Sequence, residues 1–485
     1  MQNQVYLLNQ NLALLLIVAV SLLFAAIGIL YSRKHQGLLN YLIAGRNVGT
    51  TSLTTSLVAS ALGAWILFGP ASAATWGGIG SVIGYSLGTA FPMIAMIFFG
   101  TKIRKVFPKG NTLTEFIYHK FGKKLFKLIL ILTIFYMFIF LCAEITAVSM
   151  LVNYISGTPL WLTATLVIAT TLIYTLYGGL RASILTDKLQ FFIVLILLFI
   201  SAYYLFSLNF KYISFEIIQT NSSHLLSSKY IPNYTAGLTF FIAVAATNLF
   251  HQGNWQRVFA AKNNEVLKKS LLFSFIIIIP IVFFMGICGI IAISIDSKVN
   301  PDLAFFSILL QDKTEFLSVI IIILAVSLTV STIDTLVNAI SSIVVVDGKK
   351  VYSKTNQKNF LGLSKVFIVI LSVISLIIAS KGYSILYLFL LADLLCCAAV
   401  FTIFYGFYQK KFKEKNAMVS ILLGLFLGLL FFPSPDFSKS ILVGTLLPSD
   451  LFPQIVSSSL LFWSFLLATV GPAIAIMSYD SFKRR

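Results

Sequence analysis

Apolar runs of about twenty residues recur from one end of the sequence to the other, and this pattern constrains the fold more than any other feature. A run of that length crosses the hydrocarbon core of a bilayer as one α-helix. The polar gaps between the runs are too short to form a separate soluble domain. The sequence therefore predicts an all-α polytopic membrane protein, whose residues 1–485 form a single integral membrane domain.

We predict about thirteen transmembrane helices from these runs. Their boundaries lie at 11–31, 52–77, 79–100, 125–155, 160–177, 186–207, 235–252, 269–296, 315–346, 360–380, 383–408, 416–432 and 456–478. Lysine and arginine follow the odd-numbered spans, whereas the even-numbered gaps are nearly neutral or acidic. The positive-inside rule then predicts a cell (plasma or inner) membrane protein with its N-terminus outside and its C-terminus in the cytoplasm. This topology explains the net charge of +19 without a nucleic-acid partner.

Several functional classes lack their motifs in this sequence. It contains no HExxH and no Cys/His set at metal-binding spacing, so we do not expect an enzyme. It contains no GxxxxGK[ST] loop, so we do not expect an ATP-driven pump. The four cysteines lie in apolar segments, which favours buried thiols over disulfides or a metal site.

The ninth span carries a polar stripe on one helix face. Its members recur at steps of three and four residues and are Ser327, Ser331, Asp334, Thr335, Asn338 and Ser342. An acid inside a membrane is costly and usually functional, and oxygen ligands suit a small alkali cation. The alternative is hydrogen bonding between helices, which is common for serine and threonine in membrane bundles. Asp334 favours ion handling.

Two spans contain interruptions. The second has Gly63, Gly69 and Pro70 inside it. The second half of the seventh contains Asn248, His251, Gln252, Gly253 and Asn254. Broken helices are tolerated in a membrane only where they border protein or a cavity. Two of them five spans apart indicate an inverted-repeat secondary transporter with its site near the bilayer midplane.

Two motifs resemble those of the sodium:solute symporter family. They are YTLYGGLRASILTDKLQ at Tyr174–Gln190 and WQRVFAAK at Trp255–Lys262, and Ser331-Thr332 lies where that family has paired hydroxyls. The resemblance implies the LeuT-type fold, with inverted five-helix repeats at 52–207 and 235–408. The first helix (11–31) and the two C-terminal helices (416–478) would then be peripheral.

The resemblance also implies two ion sites. The main sodium site would use backbone carbonyls and two hydroxyls, at Ala59, Leu62, Leu328, Ser331 and Thr332. A possible second site would use Asp187, Asp334 and Thr335. The family more often has a hydroxyl at the position of Asp334, so this acid could strengthen cation binding or make the site a proton site.

The candidate solute-binding residues are Trp65, Tyr85, Glu144, Thr247, Asn248 and His251. Glu144 lies in the middle of the fourth span, and its alternative role is an ion pair or hydrogen bond to a neighbouring helix. With three membrane acids and few aromatics expected at the site, we favour an amine-bearing or neutral hydrogen-bonding solute, such as an amino acid or urea. The role of Asp393 stays open, and Arg257 is expected in a cytoplasmic loop.

We therefore predict a secondary active symporter that couples sodium influx to uptake of a small polar organic solute by alternating access. Na⁺ is the expected coupling ion, and the solute and the lipid bilayer are the expected partners, with no obligate protein partner. Two alternatives stay open. One is a proton-coupled symporter of the same fold, and the other is a transporter-like channel or sensor without coupled uptake.

Overall fold

The computed structural model describes residues 6–34, 37–208, 215–311, 314–351, 357–409, 413–437, 439, 440, 442, 456 and 458–482. Within these residues the α-helices are α1 Gln10–Ser32, α2 Leu38–Ile43, α3 Thr50–Ala61, α4 Gly69–Val106, α5 Leu113–Phe121, α6 Lys123–Ser156, α7 Leu160–Leu208, α8 Phe215–Asn221, α9 Ile231–Phe250, α10 Gln252–Ala260, α11 Asn264–Ile295, α12 Ala304–Leu309, α13 Glu315–Val351, α14 Gln357–Ala379, α15 Ile385–Gly406, α16 Glu414–Phe431 and α17 Leu460–Phe482. In this part of the chain β-structure is limited to isolated bridges. The predicted all-α class is confirmed.

Ten of the described helices are long and apolar enough to cross a membrane. Two of them, α4 with 38 residues and α7 with 49, are longer than one crossing requires. Each contains a glycine with positive φ, Gly78 (φ 57°) and Gly179 (φ 60°), where the chain changes direction. These glycines fall between predicted spans two and three and between predicted spans five and six. The exact count of thirteen stays a prediction, because it depends on counting each of these two helices twice and on adding α9, which is not among the ten.

Helix α13 lies at the centre of the molecule. In its most apolar stretch of 18 residues, 83% of the residues are buried. The corresponding share is 33% in α1, 28% in α16 and 33% in α17. The polar stripe of the ninth span therefore faces protein instead of lipid, and all six of its members are buried. The four cysteines are buried free thiols, as predicted.

Close packing brings α4 against α9. A Cβ added at Gly84 would lie 2.0 Å from the carbonyl oxygen of Gly237, so the two backbones touch at this point. Small residues allow such an approach between membrane helices. This contact holds the part of α4 that follows Gly78, which is the third predicted span, against the first half of the interrupted seventh span.

Candidate functional site

The second span breaks between α3 and α4. Helix α3 ends at Ala61, Leu62 leaves helical geometry (φ −102°, ψ 74°), and a 3₁₀ turn at Ala64–Leu67 leads into α4. A Cβ added at Gly63 would lie 2.4 Å from Glu144 Oε1 and 2.6 Å from Thr332 Oγ1. The break therefore packs closely between α6 and α13, and the space at position 63 admits only glycine.

The break leaves backbone oxygens without partners. In the described part of the chain, the carbonyl oxygens of Ala59 and Leu62 accept no hydrogen bond. The last carbonyls of a helix lack intrahelical donors and carry its partial negative charge. Both residues are buried, so water cannot easily solvate these oxygens. Such oxygens are suited to ligate a cation.

The two predicted hydroxyl ligands lie on the adjoining part of α13. Thr332 Oγ1 donates to the carbonyl oxygen of Leu328 (3.2 Å), and Ser331 Oγ donates to Asp187 Oδ1 (2.7 Å). A hydroxyl that donates its hydrogen keeps lone pairs that can face a cation. The structure thus brings Thr332 directly to the break and connects Ser331 to an acid.

Glu144 reaches the same break from α6. It is fully buried, its Oε2 accepts a hydrogen bond from the backbone N–H of Ala64 (3.0 Å), and its Oε1 lies beside Gly63. The carboxyl group therefore satisfies one of the N–H groups that begin the turn after the break. Glu144 does not line the small cavity described below, so its geometry favours the alternative of a hydrogen bond to a neighbouring element.

Arg257 lies inside the protein, so the expectation of a cytoplasmic loop was wrong. The reason is that α10 continues the seventh span inside the protein after the break at His251, and Arg257 is fully buried on it. Its guanidinium forms an ion pair with Asp187 (2.7 Å). The remaining donors reach Ser56 Oγ (2.7 Å), Thr335 Oγ1 (3.0 Å) and the carbonyl of Gly253 (3.0 Å).

Asp334 is held by hydroxyl groups, chiefly from α7. Tyr174 OH (2.7 Å), Ser183 Oγ (2.8 Å) and Thr186 Oγ1 (3.3 Å) donate to its carboxyl group, and the Oγ1 of its neighbour Thr335 is 3.4 Å away. The second ion site stays a prediction. In this structure two of its three proposed ligands, Asp187 and Thr335, already bind the guanidinium of Arg257.

A small cavity of about 30 Å³ lies between the two broken spans. The residues that line it are Ser60, Ala61, Trp65, Tyr85, Phe140, Val244, Thr247, Asn248, His251, Thr332, Phe389 and Asp393. Five of the six predicted solute-binding residues are among them, and Glu144 is the exception. The volume is about that of one or two water molecules, so an organic solute requires this cavity to widen.

Aromatic rings form much of the cavity wall, so the expectation of few aromatics was wrong. Trp65 and Tyr85 stack with their centroids 5.6 Å apart, and Phe140 and Phe389 meet edge to face at 4.9 Å. These rings come from four separate helical segments, and their spacing in the sequence does not indicate that they meet. Asp393 was also not assigned, although an acid inside a membrane span is a signal for function.

A second, larger cavity of about 440 Å³ lies on the side predicted to be outside. Trp76 and Asp302 are among its lining residues. A row of rings separates the two cavities: Trp76 packs on Phe240 (5.8 Å), and Phe240 stacks on Tyr85 (4.9 Å). Burial raises the pKa of the Asp302 carboxyl, although Ser72 Oγ donates to it at 3.2 Å.

Comparisons with known proteins agree with this architecture. The model of the sodium:solute symporter family matches residues 41–424. The chain is 26% identical to a spermidine transporter of Candida albicans, over 93% of this chain and 86% of that protein. It is also 26% identical to the sodium/myo-inositol cotransporter 2 of Bos taurus, over 82% of this chain and 66% of that protein. This chain therefore spans about two thirds of the length of that relative.

Solved structures show the same fold. A Na⁺-coupled sialic acid symporter in a substrate-bound, outward-open state superposes with a TM-score of 0.72 at 16% identity, covering 97% of this chain and 98% of that one. A nucleobase–cation symport family transporter in a closed conformation superposes with a TM-score of 0.55 at 14% identity, covering 90% of this chain and 95% of that one.

Proposed function

The chain belongs to the sodium:solute symporter family, and on this basis we propose that it is a secondary active symporter that couples sodium influx to uptake of a small polar organic solute. The observation that carries the proposal is the helix break at 62–68. The carbonyl oxygens of Ala59 and Leu62, at the end of α3, accept no hydrogen bond in the described chain, and the hydroxyl of Thr332 lies against Gly63 in the break. Oxygen ligands of this kind, without a net charge of their own, suit a monovalent cation.

Coupling between ion and solute follows from shared residues. Thr332 is a proposed sodium ligand and also lines the small cavity, and Ser60 and Ala61 line it between Ala59 and Leu62. An ion bound at the break would therefore order part of the cavity wall. If the solute binds the ordered wall more tightly than the wall without the ion, each ligand increases the affinity for the other. This mutual effect is the basis of coupled transport.

Alternating access requires contacts on both sides of the cavity to open in turn. On the predicted outer side the row Trp76–Phe240–Tyr85 would have to part. On the predicted inner side α5 is tied to α10, because Gln252 Oε1 accepts from the N–H of Leu113 (3.1 Å). It is also tied to α13, through the ion pair between Lys350 and Glu115 (2.8 Å). If the outer contacts open while the inner contacts stay closed, and then the reverse, the solute moves across the membrane.

The relatives support the solute class. The names of the similar proteins include spermidine, myo-inositol and glucose, which are all small polar molecules. The buried acid and the polar side chains in the cavity, Asp393, Asn248 and His251, suit a solute with hydrogen-bonding groups. This solute would be taken up through the cell membrane with sodium.

The test is solute uptake into proteoliposomes, with a panel of radiolabelled solutes and an imposed sodium gradient. Ser331→Ala and Thr332→Ala should each raise the sodium concentration for half-maximal uptake, because each removes one oxygen ligand. Ser318→Ala is the matched control, since Ser318 is buried on the same helix but outside the polar stripe, and its hydroxyl donates to the carbonyl of Thr314. Uptake that ignores sodium and follows a proton gradient would contradict the sodium assignment.

A further inference from the structure

We propose that Asp393 forms an ammonium-binding subsite, so that the transported solute carries a protonated amine. This inference rests on the proposed symport function and specifies its substrate class. Asp393 lies on α15, is only 3% exposed, and lines the small cavity. A buried carboxylate that faces a binding cavity is the side chain most able to select for a cation.

Asp393 differs from the other membrane acids in its partners. Within the described residues Asp187 is paired with Arg257, and Asp347 lies 3.5 Å from the ammonium of Lys350. No described lysine or arginine forms an ion pair with Asp393. The hydroxyl of Thr247, which also lines the cavity, donates to the carbonyl of Ala243 (3.1 Å).

The two other acids inside the predicted membrane spans that lack an ion pair do not compete for this role. Glu144 binds the backbone at the helix break, and Asp334 is surrounded by the hydroxyls of α7. Neither residue lines the cavity. Among the acids of the described chain, Asp393 is therefore the one that a bound solute can reach in this cavity.

The charge on Asp393 requires compensation. A buried carboxyl group without a counter-charge takes up a proton or binds a cation, because an isolated charge is costly inside a membrane protein. An ammonium group would supply the counter-charge and form a charge-assisted hydrogen bond, which is roughly twice as strong as a neutral one. A neutral solute would leave the negative charge uncompensated and would gain less from this site.

The rest of the cavity also suits an amine. Trp65 and Tyr85 present an aromatic wall, and such rings attract cations over their faces. The amide of Asn248 donates to the carbonyl of Val244 (3.0 Å), which leaves its side-chain oxygen available as an acceptor for an N–H donor. The volume of about 30 Å³ admits only a group the size of an ammonium until the cavity widens. A primary alkylammonium group therefore fits better than a bulky quaternary one.

The experiment compares isosteric probes on the purified full-length protein. Thermal stability in detergent is measured with sodium, and then with sodium plus either n-butylamine or n-butanol at equal concentration. The two probes have similar size, and only the amine is charged at neutral pH. Butylamine should raise the melting temperature in a saturable way, whereas butanol should not. Equal effects of the two probes would overturn the proposal, and this comparison needs no variant.

Single substitutions then test whether butylamine stabilises the protein by binding at Asp393. Asp393→Asn should raise the butylamine concentration for half-maximal stabilisation by about tenfold or more, because it removes the charge at nearly constant shape. Asp393→Glu should retain part of the response, and Glu265→Gln, which removes an exposed acid, should retain all of it. An unchanged butylamine response in Asp393→Asn would also overturn the proposal.

The stabilisation by sodium distinguishes an incorrect ammonium subsite from an incorrect assignment of symport. Asp393 is not a proposed sodium ligand, so sodium alone should stabilise Asp393→Asn as it stabilises the parent. Stabilisation by sodium without any effect of butylamine would reject the ammonium subsite alone. Absence of stabilisation by sodium in the parent protein would instead contradict the symport proposal.

Discussion

At the level of single residues, Arg257 and Asp187 form a buried ion pair whose members depend on each other. Both side chains are fully buried, and the guanidinium makes further hydrogen bonds to Ser56, Thr335 and the backbone of Gly253. Removal of one member of such a pair leaves an uncompensated charge in low dielectric, which typically costs about 3–5 kcal/mol. Removal of both members leaves no such charge.

We therefore predict that Arg257→Gln and Asp187→Asn each lower the thermal stability strongly, and that the double variant recovers a large part of the loss. The measurement is the melting temperature of the purified proteins in detergent. Lys269→Ala is the control, because it breaks an exposed ion pair with Glu265 and should leave the melting temperature unchanged. Losses that simply add in the double variant would show that the two charges do not compensate each other.

Asp334 can act either as a coupling group or as a hydrogen-bond acceptor. Asn at this position keeps the shape and removes the charge, while Tyr174 and Ser183 can still donate to its oxygen. If Asp334 carries a coupling ion or proton, Asp334→Asn changes the pH dependence of uptake and the charge moved per solute. Uptake and electrical current in proteoliposomes measure both quantities. An unchanged pH profile and stoichiometry would limit Asp334 to a structural role.

At the level of secondary-structure elements, the break between α3 and α4 depends on the absence of a side chain at position 63. A Cβ there would lie within 2.6 Å of both Glu144 Oε1 and Thr332 Oγ1, which have to move to admit it. We predict that Gly63→Ala weakens sodium binding, measured as a higher sodium concentration for half-maximal stabilisation or uptake. The displacement moves the hydroxyl of Thr332 away from the break, where the proposed sodium site lies.

Gly362→Ala is the matched control for this substitution. Gly362 lies in α14, and no atom lies within 4 Å of the position that its Cβ would take. Replacement of an open helical glycine by alanine typically stabilises a helix by about 0.5–1 kcal/mol. The control should therefore keep its sodium response and melt at the same or a slightly higher temperature. A Gly63→Ala protein with the sodium response of this control would contradict the proposed site.

At the level of the whole molecule, the arrangement of basic loops predicts the orientation in the membrane. A reporter fused after Arg485 should lie in the cytoplasm, and one near Gln2 should lie outside, because lysine-rich loops stay on the cytoplasmic side. Both positions are outside the described residues. Two cytoplasmic termini would mean an even number of spans, and they would contradict the assignment of repeats at 52–207 and 235–408.

The sequence by itself determined the class of fold, the family and the positions of the helix breaks. These features are local or short-range, because hydropathy, glycine and proline act on the segment in which they occur. The predicted breaks at Gly63–Pro70 and near His251 coincide with the observed ends of α3 and α9. The motifs at Tyr174–Gln190 and Trp255–Lys262 were sufficient to indicate the family that the comparisons show.

Only the tertiary structure decided which polar groups meet. Arg257 and Asp187 are 70 residues apart in the chain, and Asp334 and Tyr174 are 160 residues apart. Such contacts depend on the relative rotation of packed helices, and the hydropathy of each helix does not determine that rotation. For the same reason the sequence could identify Glu144 and Asp393 as acids inside the membrane, but it could not show that Glu144 binds the helix break and Asp393 faces the cavity.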